Sequence, residues 1–176
     1  MLIPLLLMAQ MAAPPPVVAQ DPIVYHGRAG ATEVAAPRLD GEVVVDGTLS
    51  EPVWSEAALL TGFSQYQPVD GRAAEDSTEV LIFYAEDALY VGVRAFEPHG
   101  VVNATLADRD QIFGDDHIQL LLDTFDDQRQ AVVFAVNPLG VQADGVRNEA
   151  VSSQSGYFDA AAARRGALDL RPDFVF

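Results

Sequence analysis

Between positions 108 and 127 the chain places seven aspartates, at 108, 110, 115, 116, 123, 126 and 127, against two arginines, Arg109 and Arg129. Carboxylate oxygens are hard ligands, so the cation such a stretch would take is calcium, with Asp115 and Asp116 as its first ligands. The spacing does not follow the EF-hand pattern, and Asp126-Asp127 stands where a hairpin wants turn formers, so turns and solvated loops account for the same residues. Glycoside hydrolysis needs two carboxylates about 5–9.5 Å apart across a cleft. With 26 acidic residues some pair meets that distance by number alone, so abundance decides nothing. Other chemistries leave clearer marks. The chain has no His-Glu-x-x-His, no Gly-x-Ser-x-Gly and no phosphate loop. With no cysteine, thiol catalysis and Cys-ligated zinc are excluded. The expectation is a chain without catalytic residues of its own.

The 176 residues carry 26 Asp and Glu against 10 basic residues, all arginine, for a formal charge of −16. That balance repels phosphate backbones and anionic headgroups, which argues against nucleic-acid partners. Residues 1–20 bear no charged side chain; they run apolar to Ala9, break at Pro14-Pro15-Pro16 and continue Val17-Val18-Ala19. Small residues at −3 and −1 predict a signal peptide over 1–19, cleaved after Ala19, and hence export to the periplasm, outer membrane or exterior. A membrane anchor would need about 20 apolar residues without four prolines. Residues 20–38 lack apolar periodicity and read as a linker, so the folded part is expected over 39–176.

The elements that must position any site are short β-rich runs separated by turn residues, the signature of an all-β, antiparallel sandwich. Residues 78–84 and 89–96 form one hairpin, in which Leu89, Val91, Val93 and Ala95 are the expected core face and Tyr90, Gly92, Arg94 and Phe96 the outer one. A second hairpin pairs 117–123 with 131–137, with Ile118, Leu120 and Leu122 inward. The turn Asn137-Pro138-Leu139-Gly140 then leads into a third antiparallel strand, 141–146. Val43-Val44-Val45 reads as a short strand, and 50–57 as one helical turn capped by Ser50 with Pro52 in its first turn. Residues 150–166 read as a loop, and 173–176 as the start of another strand.

Four stretches carry a family resemblance. Residues 45–57 read Val-Asp-Gly-Thr-Leu-Ser-Glu-Pro-Val-Trp-Ser-Glu-Ala; they are followed by 78–98, by 108–123 starting Asp-Arg-Asp, and by 133–145, Val-Phe-Ala-Val-Asn-Pro-Leu-Gly-Val-Gln-Ala-Asp-Gly. In order and spacing this resembles the family 9 carbohydrate-binding module, whose fold is a DOMON-like, immunoglobulin-like jelly-roll sandwich. It is most similar to the N-terminal sandwich of large exported bacterial proteins. The resemblance implies a non-catalytic module that binds a polysaccharide or oligosaccharide in carbohydrate catabolism; an alternative it leaves open is an accessory part of an O-glycosyl hydrolase whose catalytic residues lie outside this chain. It also implies one more strand pair after 172–176 and a C-terminal partner domain, so the sandwich is expected to be incomplete.

Sugar recognition needs planar rings for the apolar face of a pyranose and forked donors for its hydroxyls. Tyr90 and Arg94, with Arg109 and Arg147 on adjoining loops, are the candidates. Simple pairing of the arginines with surface carboxylates is the competing reading. The family's double-aromatic clamp is not matched, because the one tryptophan, Trp54, sits in the helical-turn motif and is expected in the core. Asp46, Gly47, Asn137, Pro138 and Gly140 are expected to shape turns. The DOMON-like class also includes haem proteins with Met/His ligation. Here every methionine, at 1, 8 and 11, lies in the signal segment, and a His99/His117 pair would be a bis-His site only in principle, so no haem is expected. A module that kept the fold and lost sugar binding, serving as a structural or protein-interaction element at the cell envelope, is the alternative function.

Overall fold

The computed structural model describes residues 23–65, 69–127, 129–148, 167–174 and 176. The signal peptide expected over 1–19 and the loop expected over 150–166 lie outside the described residues. The chain is all-β: it forms two four-stranded, mostly antiparallel sheets, the two-sheet make-up expected of a β-sandwich. One sheet belongs to each of two compact units, Met1–Pro98 and His99–Phe176. Among the described residues no helix is long and apolar enough to cross a membrane.

In the first unit the strands β1 (Val24–His26), β2 (Ala58–Thr61), β3 (Thr78–Tyr84) and β4 (Leu89–Ala95) are neighbours in that order. β1 runs parallel to β2, so the stretch read as a linker supplies an edge strand. Pro37 and Leu39 bond Tyr84 in β3, which anchors the chain again before the expected domain start. Alternation along Val24-Tyr25-His26 is too short to stand out as a strand in sequence; its partner β2 decides it. Val43-Val44-Val45 forms no strand. The Val44 amide donates to the Glu51 carboxylate at 3.1 Å instead of to a strand neighbour.

The helical turn is a 3₁₀ segment over Pro52–Glu56. Its capping residue is Glu51, not Ser50, and Glu51 makes no side-chain cap. The Glu51 carboxylate instead accepts from the Trp54 indole N–H at 3.1 Å, so Trp54 is buried with its one polar atom satisfied. Trp54 meets Phe83 edge-on with ring centroids 5.1 Å apart, and with Ala57 and Leu81 the two form the core of this unit. Gly92 makes room for this packing. A Cβ there would sit 2.9 Å from Leu49 Cδ2 and 3.0 Å from Trp54 Cζ3.

In the second unit β5 (Ile118–Leu122), β6 (Gln130–Val136), β7 (Gln142–Asn148) and β8 (Ala167–Asp169) form an antiparallel meander. The three consecutive strands expected from the sequence are present. Val133, Ala135 and Ala143 share one face, and Ile112 from the preceding loop closes a small buried cluster with Ala135, Ala143 and Val141. Ile118, Leu120 and Leu122 are half-buried on the opposite face, paired with Val136, Phe134 and Val132. The described residues 173, 174 and 176 contribute no strand. Phe174 and Phe176 lie against Phe134, at centroid distances of 6.0 and 4.9 Å.

Candidate functional site

The phase of β4 is opposite to the expected one. Phe83 pairs with Tyr90, Leu81 with Gly92 and Glu79 with Arg94, so these six residues share the face that Trp54 covers. Tyr90 is therefore not an outward platform: its ring stacks on Phe83 at 4.8 Å and 15°. Alternation alone gives two equally apolar faces here, and Trp54 packing over the side-chain-free Gly92 chooses between them. Val91 and Val93 are half-buried, whereas Leu89 and Ala95 are exposed. Arg94 continues the Tyr90 face past the edge of the core, where it pairs across the strands with Glu79 at 3.5 Å. Phe96, two residues on, keeps the ladder by donating its N–H to the Ser77 carbonyl at 3.0 Å, and its side chain is exposed. An exposed ring, a guanidinium fork and a carboxylate thus follow one another along the end of this sheet.

The acidic stretch is spent largely on backbone amides. The Asp115 carboxylate accepts from Thr105 N at 2.9 Å, from the Thr105 hydroxyl and from Asn137 Nδ2 at 3.0 Å. Asp116 accepts from Asn103 N at 2.8 Å. Asp110, Asp123 and Asp127 each accept one main-chain N–H as well, from Asp144, Phe125 and Arg129. Donation by Thr105, then by Asn137, holds the Asp115 carboxyl below the usual aspartate range. The geometry gives Asp115 and Asp116 the job of pinning residues 103–105. His117 has a local role too: its Nδ1 lies 2.8 Å from the Asp115 carbonyl and its ring meets Phe113 edge-on.

Asn137 is the centre of this arrangement. It is 3% exposed, and its amide uses its full capacity. Nδ2 donates to the Thr105 carbonyl at 2.8 Å and to Asp115, while Oδ1 accepts from Leu139 N at 3.0 Å and Val141 N at 2.9 Å. The turn it opens has Pro138 at its first corner and closes with Gly140 N donating to the Asn137 carbonyl; Gly140 takes φ +79°, which favours glycine. Asp46 and Gly47 likewise build a turn: the Asp46 carboxylate accepts from the Thr48 N–H and hydroxyl, and Gly47 has φ +85°. The structural roles expected for Trp54, Asp46, Gly47, Asn137, Pro138 and Gly140 follow these contacts.

Arg109 and Arg147 do not converge. Arg109 donates to Asp144, to Gln142 Oε1 at 3.0 Å and to the Phe174 carbonyl at 2.7 Å. Its hydrogen bond with Asp144 raises its pKa further above the ordinary arginine value. Arg147 lies within β7, not on a loop, and alternates with Asp144. It projects from the opposite face of the sheet, opposite Ala131 and beside Leu168. Asp144, 1% exposed, is the polar residue that motif reading passed over. Its signal was an aspartate in the middle of an apolar strand run, where aspartate is depleted unless it has a partner.

No family model, curated protein or solved structure matches this chain.

Proposed function

We propose that this chain is a non-catalytic carbohydrate-binding module of an exported protein, of the family 9 type that its four ordered sequence stretches resemble. The observation that supports a sugar surface is the row at the end of the first sheet, where the exposed ring of Phe96 follows the Arg94–Glu79 pair. A ring of that kind fits the C–H face of a pyranose, and a fork beside a carboxylate fits its vicinal hydroxyls. Tyr90, stacked on Phe83 in the core, is not part of this surface. Arg109 and Arg147 belong to the second unit.

The polysaccharide module is tested by retention of the full chain on insoluble xylan and cellulose. Retention that falls at least tenfold in Arg94→Ala and in Phe96→Ala agrees with the proposal. Equal retention in both variants refutes the surface, and a wild-type chain that washes through refutes the function. The second reading, a structural or interaction module without sugar binding, is favoured by the burial of Trp54 and the stacking of Tyr90 on Phe83, which leave no paired aromatic clamp among the residues named for one.

A further inference from the structure

The row that carries Glu79 and Arg94 does not stop at β3. Leu60 pairs with Val80, so one residue further along the same antiparallel register Thr61 stands beside Glu79. Thr61 is in turn the partner of His26 in the parallel β1–β2 pair. Directly opposed residues of neighbouring strands share a face. His26, Thr61, Glu79 and Arg94 therefore form one transverse row across all four strands, on the face of Leu59, Leu81 and Gly92 but one pleat beyond that core. Each of the four carries a polar group; Thr61 and Glu79 are half-buried, and His26 and Arg94 are exposed. At the β1 end the His26 imidazole lies over Gly62, where φ is +68° and a Cβ would run into the ring, so glycine leaves a seat for this flat side chain. At the β4 end the exposed ring is that of Phe96.

Neighbouring strands lie about 4.8 Å apart, so the row extends about 14 Å from β1 to β4. Those are the two outer strands of the sheet, and among the described residues no further strand walls off either end of the row. A site that reads the end of a glycan must close around that end, whereas a row open at both edges lets a chain run through. The sugars of a linear β-linked glycan repeat at nearly the strand spacing, so successive sugars meet successive strands. Each finds an imidazole, hydroxyl, carboxylate or guanidinium for its hydroxyl groups. The formal charge of −16 disfavours an anionic chain. On the carbohydrate-module reading, on which this rests, we propose that the His26–Thr61–Glu79–Arg94 row, ending at Phe96, binds an internal stretch of a linear, neutral polysaccharide laid across the strands.

Isothermal titration calorimetry of the full chain with xylo- and cello-oligosaccharides, from disaccharide to hexasaccharide, tests it. Affinity is expected to climb at least tenfold from disaccharide to hexasaccharide, because only the longer chain covers the whole row. Borohydride reduction of the hexasaccharide's reducing end is expected to change nothing, since no end is read. His26→Ala, at the far end from Phe96, is expected to weaken hexasaccharide binding about fivefold, the effect of about one neutral hydrogen bond, and to leave disaccharide binding unchanged. Equal affinity for disaccharide and hexasaccharide, loss of binding on reduction, or a folded His26→Ala that binds the hexasaccharide like wild type overturns the extended row while leaving a sugar module. Absence of binding by every oligosaccharide refutes the module and the row together. Should His26→Ala fail to fold by circular dichroism, the length and end-reduction series on the wild-type chain decides.

Discussion

Replacing Asn137 with alanine deletes a buried side chain that ties four groups of the second unit together. Four hydrogen bonds go at once: two donated by Nδ2, to Thr105 O and Asp115, and two accepted by Oδ1, from Leu139 N and Val141 N. At about 1 kcal/mol net for each bond, the loss is about 3–4 kcal/mol, and the site's burial keeps water from replacing the missing partners. That is a large part of a typical total of about 5–15 kcal/mol. For a urea m-value of about 2 kcal/mol per molar, the unfolding midpoint falls by about 1.5–2 M with m unchanged. Urea unfolding followed by circular dichroism measures it. The acid limb adds a second readout. Because the folded Asp115 pKa is lowered, its contribution is fully present above the unfolded aspartate pKa and is lost as pH falls through the folded one. Asn137→Ala removes one of the donors responsible, so the Asp115 pKa, followed by NMR, moves up toward the ordinary value. A midpoint shift worth less than 1 kcal/mol, or an Asp115 titration that does not move, would refute the hub.

Three further outcomes follow from the same contacts. Asp169 is held down to about 2, chiefly by side-chain hydrogen bonds from Arg171 at 2.8 and 2.6 Å, so NMR titration of Arg171→Ala should return it toward 3.8; a midpoint that stays near 2 contradicts the pairing. In Gly145→Ala the new Cβ meets the Asp169 carbonyl, which is backbone and cannot swing away, so β8 should separate from β7 or the fold should lose about 1–3 kcal/mol. Hydrogen exchange at Leu168 decides it, and full protection at wild-type stability would contradict the close approach. Tyr90→Ala opens a cavity beside Phe83 and should cost about 2–4 kcal/mol, whereas Tyr90→Phe keeps the stack and should cost under about 1 kcal/mol; thermal unfolding with similar losses for both would place Tyr90 outside the core.

The strands with strong alternation or a continuous apolar run, β3 to β7, were legible because each has enough residues to display its period. The turns at Asp46-Gly47 and Asn137–Gly140 were legible through local chemistry that needs no tertiary contact. What the sequence concealed is tertiary. β1 exists because β2 lies beside it, and Val43–Val45, the better β-former, has its Val44 amide taken by Glu51. The face of β4 was misread because Tyr90 and Val91 are equally at home in a core, and only the arrival of Trp54 over Gly92 separates them. The candidate site suffered for the same reason. Tyr90 was taken from the face that is buried, Arg109 and Arg147 sit on opposite faces of one sheet, and the aspartates read as oxygen ligands hold loop amides. Arg94 is exposed and paired with Glu79, and Phe96, expected on the same outward face, was not counted among the sugar candidates.

The most direct test of the carbohydrate-module proposal is thermal unfolding of the full chain with and without soluble xylan or cellulose oligosaccharides. A ligand at 100 times its dissociation constant adds about 2.7 kcal/mol, which is a rise of several degrees for a chain of this size. The proposal predicts that rise in wild type and its loss in Phe96→Ala. An unchanged melting temperature at saturating oligosaccharide would contradict it and leave the structural or interaction module as the function.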